Sequence, residues 1–168
     1  MIPSEKQVRA LWDTYSLPES KRMHVALVAR VATYIGKKFD VNLKLLHAAA
    51  LLHDIDKSVG GPHPETAVKI LHDEGLDEIA DVVATHSLHS ILGSKSPQTW
   101  EQKLLYLADK MVKYDIVGVD KRFALWRSEH LPQDAQKILD ESYPKVKALE
   151  QEVFKTAGIT LKDVVKLA

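Results

Sequence analysis

The stretch LLHDIDK, residues 51–57, decides how the rest of the chain is read. It sets His53, Asp54, Asp56 and Lys57 directly after Ala48-Ala49-Ala50-Leu51-Leu52, an apolar run whose ordinary fate is burial. The spacing predicts a central helix from about Leu43 to Ile55, apolar nearly all round. A carboxylate buried there without a partner costs several kcal/mol, roughly, which a cation would cancel. Adjacent His53 and Asp54 stand about 100° apart on an α-helix, so both reach one point only where the helix ends or loosens. Gly60-Gly61 shows that it ends close by. The ordinary alternative is a solvated helix end, with Lys57 satisfying the terminal carbonyls.

Outward from this stretch the hydrophobic spacing is helical almost throughout, which predicts an all-α fold. A first helix is expected from about Ser4, its N-cap, to Tyr15, and a second from about Pro18 to Lys38. On the second, His24 shares a face with Val28, Val31 and Ile35. A loop at Ser58–Pro64 precedes a helix to about Asp73 with Pro64 in its first turn. The next, Asp77 to about Ser87, carries His86 beside Ile79, Val82 and Val83. A helix over about Gln98–Val112 has Trp100, Leu104, Leu107 and Met111 as its main stripe, with Asp109 on the adjacent one. Asp120 to about Glu129 follows, then Gln133–Thr156, which Pro144 is expected to kink or split. Thr160 and Asp163 form a capping box for a short last helix.

Composition narrows the chemistry. The 168 residues, 45% of them hydrophobic, suit one well-packed domain over 1–168. Lysine plus arginine equal aspartate plus glutamate at 23 each, so no charge excess points to nucleic acid or an anionic membrane. With no cysteine, thiolate metal sites, disulfides and cysteine nucleophiles are absent, and any metal is held by nitrogen and oxygen. No run approaches the roughly 18 apolar residues of a membrane span. The N-terminus lacks a signal sequence, and the expectation is a cytoplasmic protein without membrane contact.

His24, His53, Asp54, His63, His86 and Asp109 are the polar residues that face inward or stand poised in a loop. Four imidazoles and two carboxylates are the ligand inventory of a dinuclear transition-metal site. Each also has a plainer reading: His24 or His86 as a hydrogen-bonded core histidine, His63 as a loop residue, Asp109 and Lys110 as an exposed helix pair. What favours the metal reading is coincidence, since histidines land on or beside apolar stripes in separate helices.

The order H…HD…H…H…D, carried by L-L-H-D-I-D-K, H-P-E-T-A-V-K-I-L, V-V-A-T-H and L-L-Y-L-A-D-K, resembles the HD superfamily of metal-dependent phosphohydrolases over about residues 20–125. The likeness is nearest to small single-domain hydrolases such as the group that splits diadenosine tetraphosphate symmetrically. It implies an HD-domain helical bundle with extra C-terminal helices over about 126–168. It further implies that His24, His53, Asp54 and Asp109 hold a first metal, and that Asp54 bridges to a second held by His63 and His86. One or two divalent transition ions per chain, Fe, Mn, Ni, Co or Zn, are then the cofactor. Two features depart from common members: Asp56 stands where many have glycine, and His89 follows His86 by three residues where many have a histidine pair.

The activity so implied is water-activated hydrolysis of a phosphate ester or anhydride of a nucleotide or similar small molecule. Asp54 and Lys57 would carry the chemistry, while Lys57, His89 and Arg122 would contact substrate, Arg122 at a more distant phosphate. Lys57 at a helix end and Arg122 as a surface arginine have solvated readings as well. A di-iron oxygenase and a non-catalytic nucleotide sensor are the competing functions for the same ligand set. The stripe of Phe123 and Trp126 and the C-terminal helices suit a homodimer interface as well as a core.

Overall fold

The structure, a computed structural model, describes residues 1–168 and is all-α. Its helices are α1 (Glu5–Thr14), α2 (Glu19–Gly36), α3 (Leu43–Leu52), α4 (Glu65–Asp73), α5 (Asp77–Val83), α6 (Trp100–Lys110), α7 (Val119–Ser128), α8 (Gln133–Ala157) and α9 (Leu161–Val165), with a 3₁₀ turn at Leu88–Leu92 between α5 and α6. The one bridge of strand type joins Val112 and Ile116. No helix is long and apolar enough to cross a membrane.

The helix starts follow from capping chemistry. Ser4 Oγ accepts the Gln7 N–H at 3.2 Å while Gln7 Oε1 accepts the Ser4 N–H at 2.7 Å, and Thr99 and Gln102 repeat the box at α6. At α9, Asp163 Oδ2 accepts the Thr160 N–H at 2.8 Å.

α3 is the axis of the bundle. It packs on α1, α2, α5 and α6, and Leu46 and every residue from Ala48 to Leu52 are buried. Gly36 of α2 permits a close approach to α3, because a Cβ there would lie 2.9 Å from Leu43 Cδ2 and 3.0 Å from Leu46 Cδ2.

Several boundaries differ from the sequence expectation, each for a local reason. α3 stops at Leu52, three residues short of Ile55, and His53 is its C-cap. The chain then tightens: Ile55 N–H donates to Leu52 O at 3.1 Å, Lys57 N–H to Asp54 O at 3.0 Å and Val59 N–H to Asp56 O at 2.9 Å. These are i→i+3 bonds, the tighter winding common at helix ends. The Leu51 carbonyl freed by that change accepts the Trp12 indole N–H at 2.9 Å, so α1 caps the helix that carries the HD pair. α5 likewise stops at Val83 and leaves His86 outside it, while Pro64 is the N-cap of α4 and not part of its first turn.

Pro144 does not split α8, which runs from Gln133 to Ala157. A proline inside a helix costs about 3 kcal/mol. Leu139 before it and Val146, Leu149 and Val153 after it are all buried, so packing on both sides keeps the helix continuous across the proline. The hydrogen bond that proline removes would have ended on the carbonyl of Asp140, an exposed residue, where the loss costs less than in the core. The aromatic stripe of α7 is turned inward: the Phe123 ring lies 5.2 Å from Trp126 and 5.2 Å from Tyr143 of α8. Gly118 starts α7 at φ +87°, where a Cβ would meet Leu161 Cδ1 at 2.9 Å.

Candidate metal centre

The helix ends described above converge on one point. His24 comes from α2, on the face of the buried Val28, Val31 and Ile35; His53 and Asp54 from the turn after α3; His63 from the loop before α4; His86 from the turn after α5; and Asp109 from the last turn of α6. Two sets have ligand atoms within 4.8 Å of one another: His24, His53 and Asp109, and His53, Asp54 and His86.

The partners of the ring nitrogens fix which of them carries the proton. His53 Nδ1 lies 2.7 Å from Ala50 O, His86 Nδ1 2.6 Å from Val83 O, and His24 Nδ1 3.3 Å from Lys113 O. A carbonyl only accepts, so each of these Nδ1 atoms is the N–H and each Nε2 keeps its lone pair. His63 Nδ1 faces the Asp56 carboxylate at 2.8 and 2.9 Å with the same consequence. All four Nε2 atoms then point at acceptors. Those of His24 and His53 lie 2.9 and 3.2 Å from Asp109 Oδ1, and those of His63 and His86 lie 2.8 Å from each other. Lone pairs facing lone pairs and carboxylate oxygens are stable only with positive charge between them, so the donor set fits a metal ion.

Asp54 stands between two imidazole pairs. Its Oδ2 is 3.8 Å from His24 Nε2 and 3.7 Å from His53 Nε2, whereas its Oδ1 is 3.7 Å from His63 Nε2 and 4.0 Å from His86 Nε2. One carboxylate thus presents an oxygen to each pair, the arrangement needed to join two cations.

Without metal, protons supply the charge. Burial by itself lowers the His53 pKa, but the Asp54 and Asp109 charges outweigh it and lift the imidazole to about 9. Burial and the His53 charge press His86 well below the ordinary histidine value. Burial raises the Asp109 carboxyl, and the Lys110 and His53 charges more than reverse this, holding it well below the usual range. The pH dependence follows. His53 binds its proton more tightly folded than unfolded, so its stabilisation is complete below about pH 6.5 and is lost as pH rises through about 9, a change of up to about 3 kcal/mol. His86 is neutral in the fold, so below pH 6.5 the unfolded chain takes up the proton and stability falls. Metal-free protein is expected to melt highest near pH 6.5 and lower on either side. A melting temperature flat from pH 5 to 9 in chelator-treated protein would contradict the two assignments.

A pocket of about 510 Å³ opens over the cluster, lined by His24, Asp54, His63, His86, His89, Asp109 and the cations Lys21, Lys57, Lys110, Lys113 and Arg122, with Tyr114 and Trp126. Lys57, His89 and Arg122, named from the sequence as substrate contacts, all border it. His89 is exposed and lies in the 3₁₀ turn that the helical reading did not foresee.

Three corrections concern neighbours of the cluster. Lys110 is not an exposed partner of Asp109: it is 2% exposed, its Nζ donates to His86 O at 2.6 Å and to Asp109 Oδ2 at 2.7 Å, and it lies 4.4 Å over the Tyr106 ring. A lysine amid the buried run Leu104–Met111 was the signal for it. Asp56 is 3% exposed and orients His63, a carboxylate–histidine pairing that fixes the ring's tautomer and direction. Its signal was a second acid in a motif already rich in ligand types. Arg122 is not a solvated surface residue, since its guanidinium is stacked 3.9 Å over Trp126.

Comparison with known proteins places this geometry. The HD domain family matches residues 22–113, more than half of the chain, and the matched span contains all six cluster residues. A protein of Thermoplasma volcanium named tRNA (cytidine(56)-2′-O)-methyltransferase is 27% identical over 158 residues, covering 82% of this chain and 45% of that protein. One of the same name from Picrophilus torridus is 24% identical over 180 residues, covering 98% of this chain and 50% of its own length. The chain spans about half the length of these curated relatives. No solved structure matches. With the matched span beginning on α2 and ending just past Asp109, around a His/Asp cluster suited to a cation, the chain belongs to the HD domain family, a domain of the metal-dependent phosphohydrolase type.

Proposed function

We propose that the chain is a metal-dependent phosphohydrolase that cleaves a phosphate ester or anhydride of a nucleotide or similar small molecule. One observation carries this reading: Asp54 offers an oxygen to each of two histidine pairs at the base of a pocket bordered by cations. His24, His53 and Asp109 with Asp54 Oδ2 would hold one ion, and His63 and His86 with Asp54 Oδ1 a second. Divalent metal bound there supplies the charge that makes water acidic near neutral pH and offsets charge on a phosphate oxygen. The chain's own groups do the rest. Lys57, whose Nζ is 4.0 Å from Asp54 Oδ1, neutralises a phosphate oxygen as a point cation. Asp56 keeps the His63 lone pair aimed inward, and Lys110 holds the Asp109 carboxylate ionised and in place.

The methyltransferase activity named for the relatives belongs to proteins about twice this length, and the tRNA in their names puts an RNA fragment among the substrates to be tried. The net charge of zero favours small molecules over a long polyanion. Elemental analysis of purified protein comes first. A panel of p-nitrophenyl phosphate, mononucleotides, dinucleoside polyphosphates and a 3′-phosphorylated oligoribonucleotide is then assayed with the retained metal. Turnover with Mn²⁺ in the absence of oxygen supports hydrolysis. Strict dependence on O₂ and iron would replace it with an oxygenase, and nucleotide binding without turnover across the panel would indicate a sensor.

A further inference from the structure

Two side chains that line the pocket have buried polar atoms with no hydrogen-bond partner: Ser87 at Oγ, and Arg122 at Nε and Nη1. The arginine is the more informative. It lies on α7, one turn before Trp126, and the indole face 3.9 Å beneath it keeps the guanidinium flat. Three other cations of the pocket are engaged with carboxylates: Lys57 with Asp54 at 4.0 Å, Lys110 with Asp109 at 2.7 Å and Lys113 with Glu129 at 3.0 Å. Arg122 pairs with neither Asp54 nor Asp109. A guanidinium stays charged at any pH the chain meets, and withdrawing it from water without a counter-ion is unfavourable. Nε and Nη1 are closed to solvent, so the guanidinium meets the pocket through Nη2, and a charged N–H donor held in this fixed orientation matches a phosphate oxygen. Lys21, which lines the same pocket and pairs with no carboxylate, adds a second positive charge and favours an anion over a neutral ligand.

We propose that Arg122 is a specificity-determining residue that grips a second phosphate group of the substrate, apart from the one held at the His/Asp cluster, so that bisphosphorylated molecules are preferred to monophosphates. The preference deepens the hydrolytic reading and rests on it only for the fate of the first phosphate. The grip itself is a binding event. A second phosphate joined directly to the first, as in a nucleoside diphosphate, and one placed elsewhere on the molecule, as in a nucleoside 3′,5′-bisphosphate, present the same chemistry to the guanidinium.

The test is calorimetric binding to the metal-loaded protein of adenosine 5′-(α,β-methylene)diphosphate and of the 5′-phosphonate analogue of adenosine monophosphate, whose phosphonate linkages resist cleavage. A charge-assisted contact is expected to make the diphosphonate about 10- to 100-fold tighter. In Arg122→Gln that ratio should fall to within about threefold, and Arg122→Lys, which keeps the charge but not the flat group stacked on Trp126, should lose most of it. Comparing kcat/KM for adenosine 3′,5′-bisphosphate and adenosine 5′-monophosphate in the same proteins tells a second phosphate on the sugar from one on the phosphate chain. An Arg122-dependent preference in either comparison supports the proposal. Absence of any preference in the wild type, or a preference that survives in both variants, overturns it. If the binding preference is present while no phosphate is hydrolysed, the second-phosphate site stands and the hydrolytic reading fails. Hydrolysis without the preference gives the reverse.

Discussion

Asp54→Ala is expected to strip the protein of metal and to lower phosphate hydrolysis by at least about 1000-fold, because the charge stabilisation lost with a catalytic cation is worth several kcal/mol and each 1.4 kcal/mol is tenfold. The argument lies in the position of the carboxylate. Its two oxygens lie 3.7 to 4.0 Å from four different imidazole nitrogens, so no other side chain can replace it between the pairs. Asp56→Asn provides a graded comparison. Asp56 touches His63 and none of the other five cluster residues, and loss of a group that orients a ligand weakens metal binding by about 10- to 100-fold without abolishing it. Metal content by elemental analysis and turnover of p-nitrophenyl phosphate measure both. An Asp54→Ala protein with full metal content and rate would remove Asp54 from the centre.

Lys110→Met is expected to cost about 3 to 5 kcal/mol in the metal-free protein, the range for removing one partner of a buried ion pair. The methionine refills most of the stem volume, so what is lost is charge and donors. Asp109 Oδ2 and His86 O are left without the ammonium that reaches them at 2.7 and 2.6 Å. For a chain of this size the melting temperature falls by roughly 6 to 20 °C. Metal should return part of this, since a cation at Asp109 compensates the carboxylate that Lys110 no longer neutralises. Thermal melts with and without metal check both points, and an equal drop in the two states would mean that Lys110 serves packing alone.

The fold was legible because helical periodicity is local. Apolar side chains at three- and four-residue intervals state which face is buried before any neighbour is known, and Ser4, Thr99 and Thr160 mark helix starts through contacts that span three residues. The errors fell where long-range contacts decide. α3 ends at Leu52 as the following turns tighten, and the Leu51 carbonyl this frees is satisfied by Trp12, 39 residues away. α8 passes through Pro144 because buried residues on both sides hold it to the bundle.

The candidate site divides the same way. Residue types and their order sufficed to name His24, His53, Asp54, His63, His86 and Asp109, and these six surround one centre. Identity alone determined that much, because imidazole and carboxylate are the only strong metal donors in a chain without cysteine, and those near apolar stripes are few. What only the tertiary structure decided is the direction of every lone pair. A backbone carbonyl from the preceding turn or from Lys113 fixes the His24, His53 and His86 tautomers, and Asp56 fixes that of His63. It also decided that Lys110 is inside and Arg122 stacked and unpaired. Sequence spacing fixes which face of an element a residue occupies. Hydrogen-bond direction and the company of a charge depend on which elements meet, and packing alone sets that.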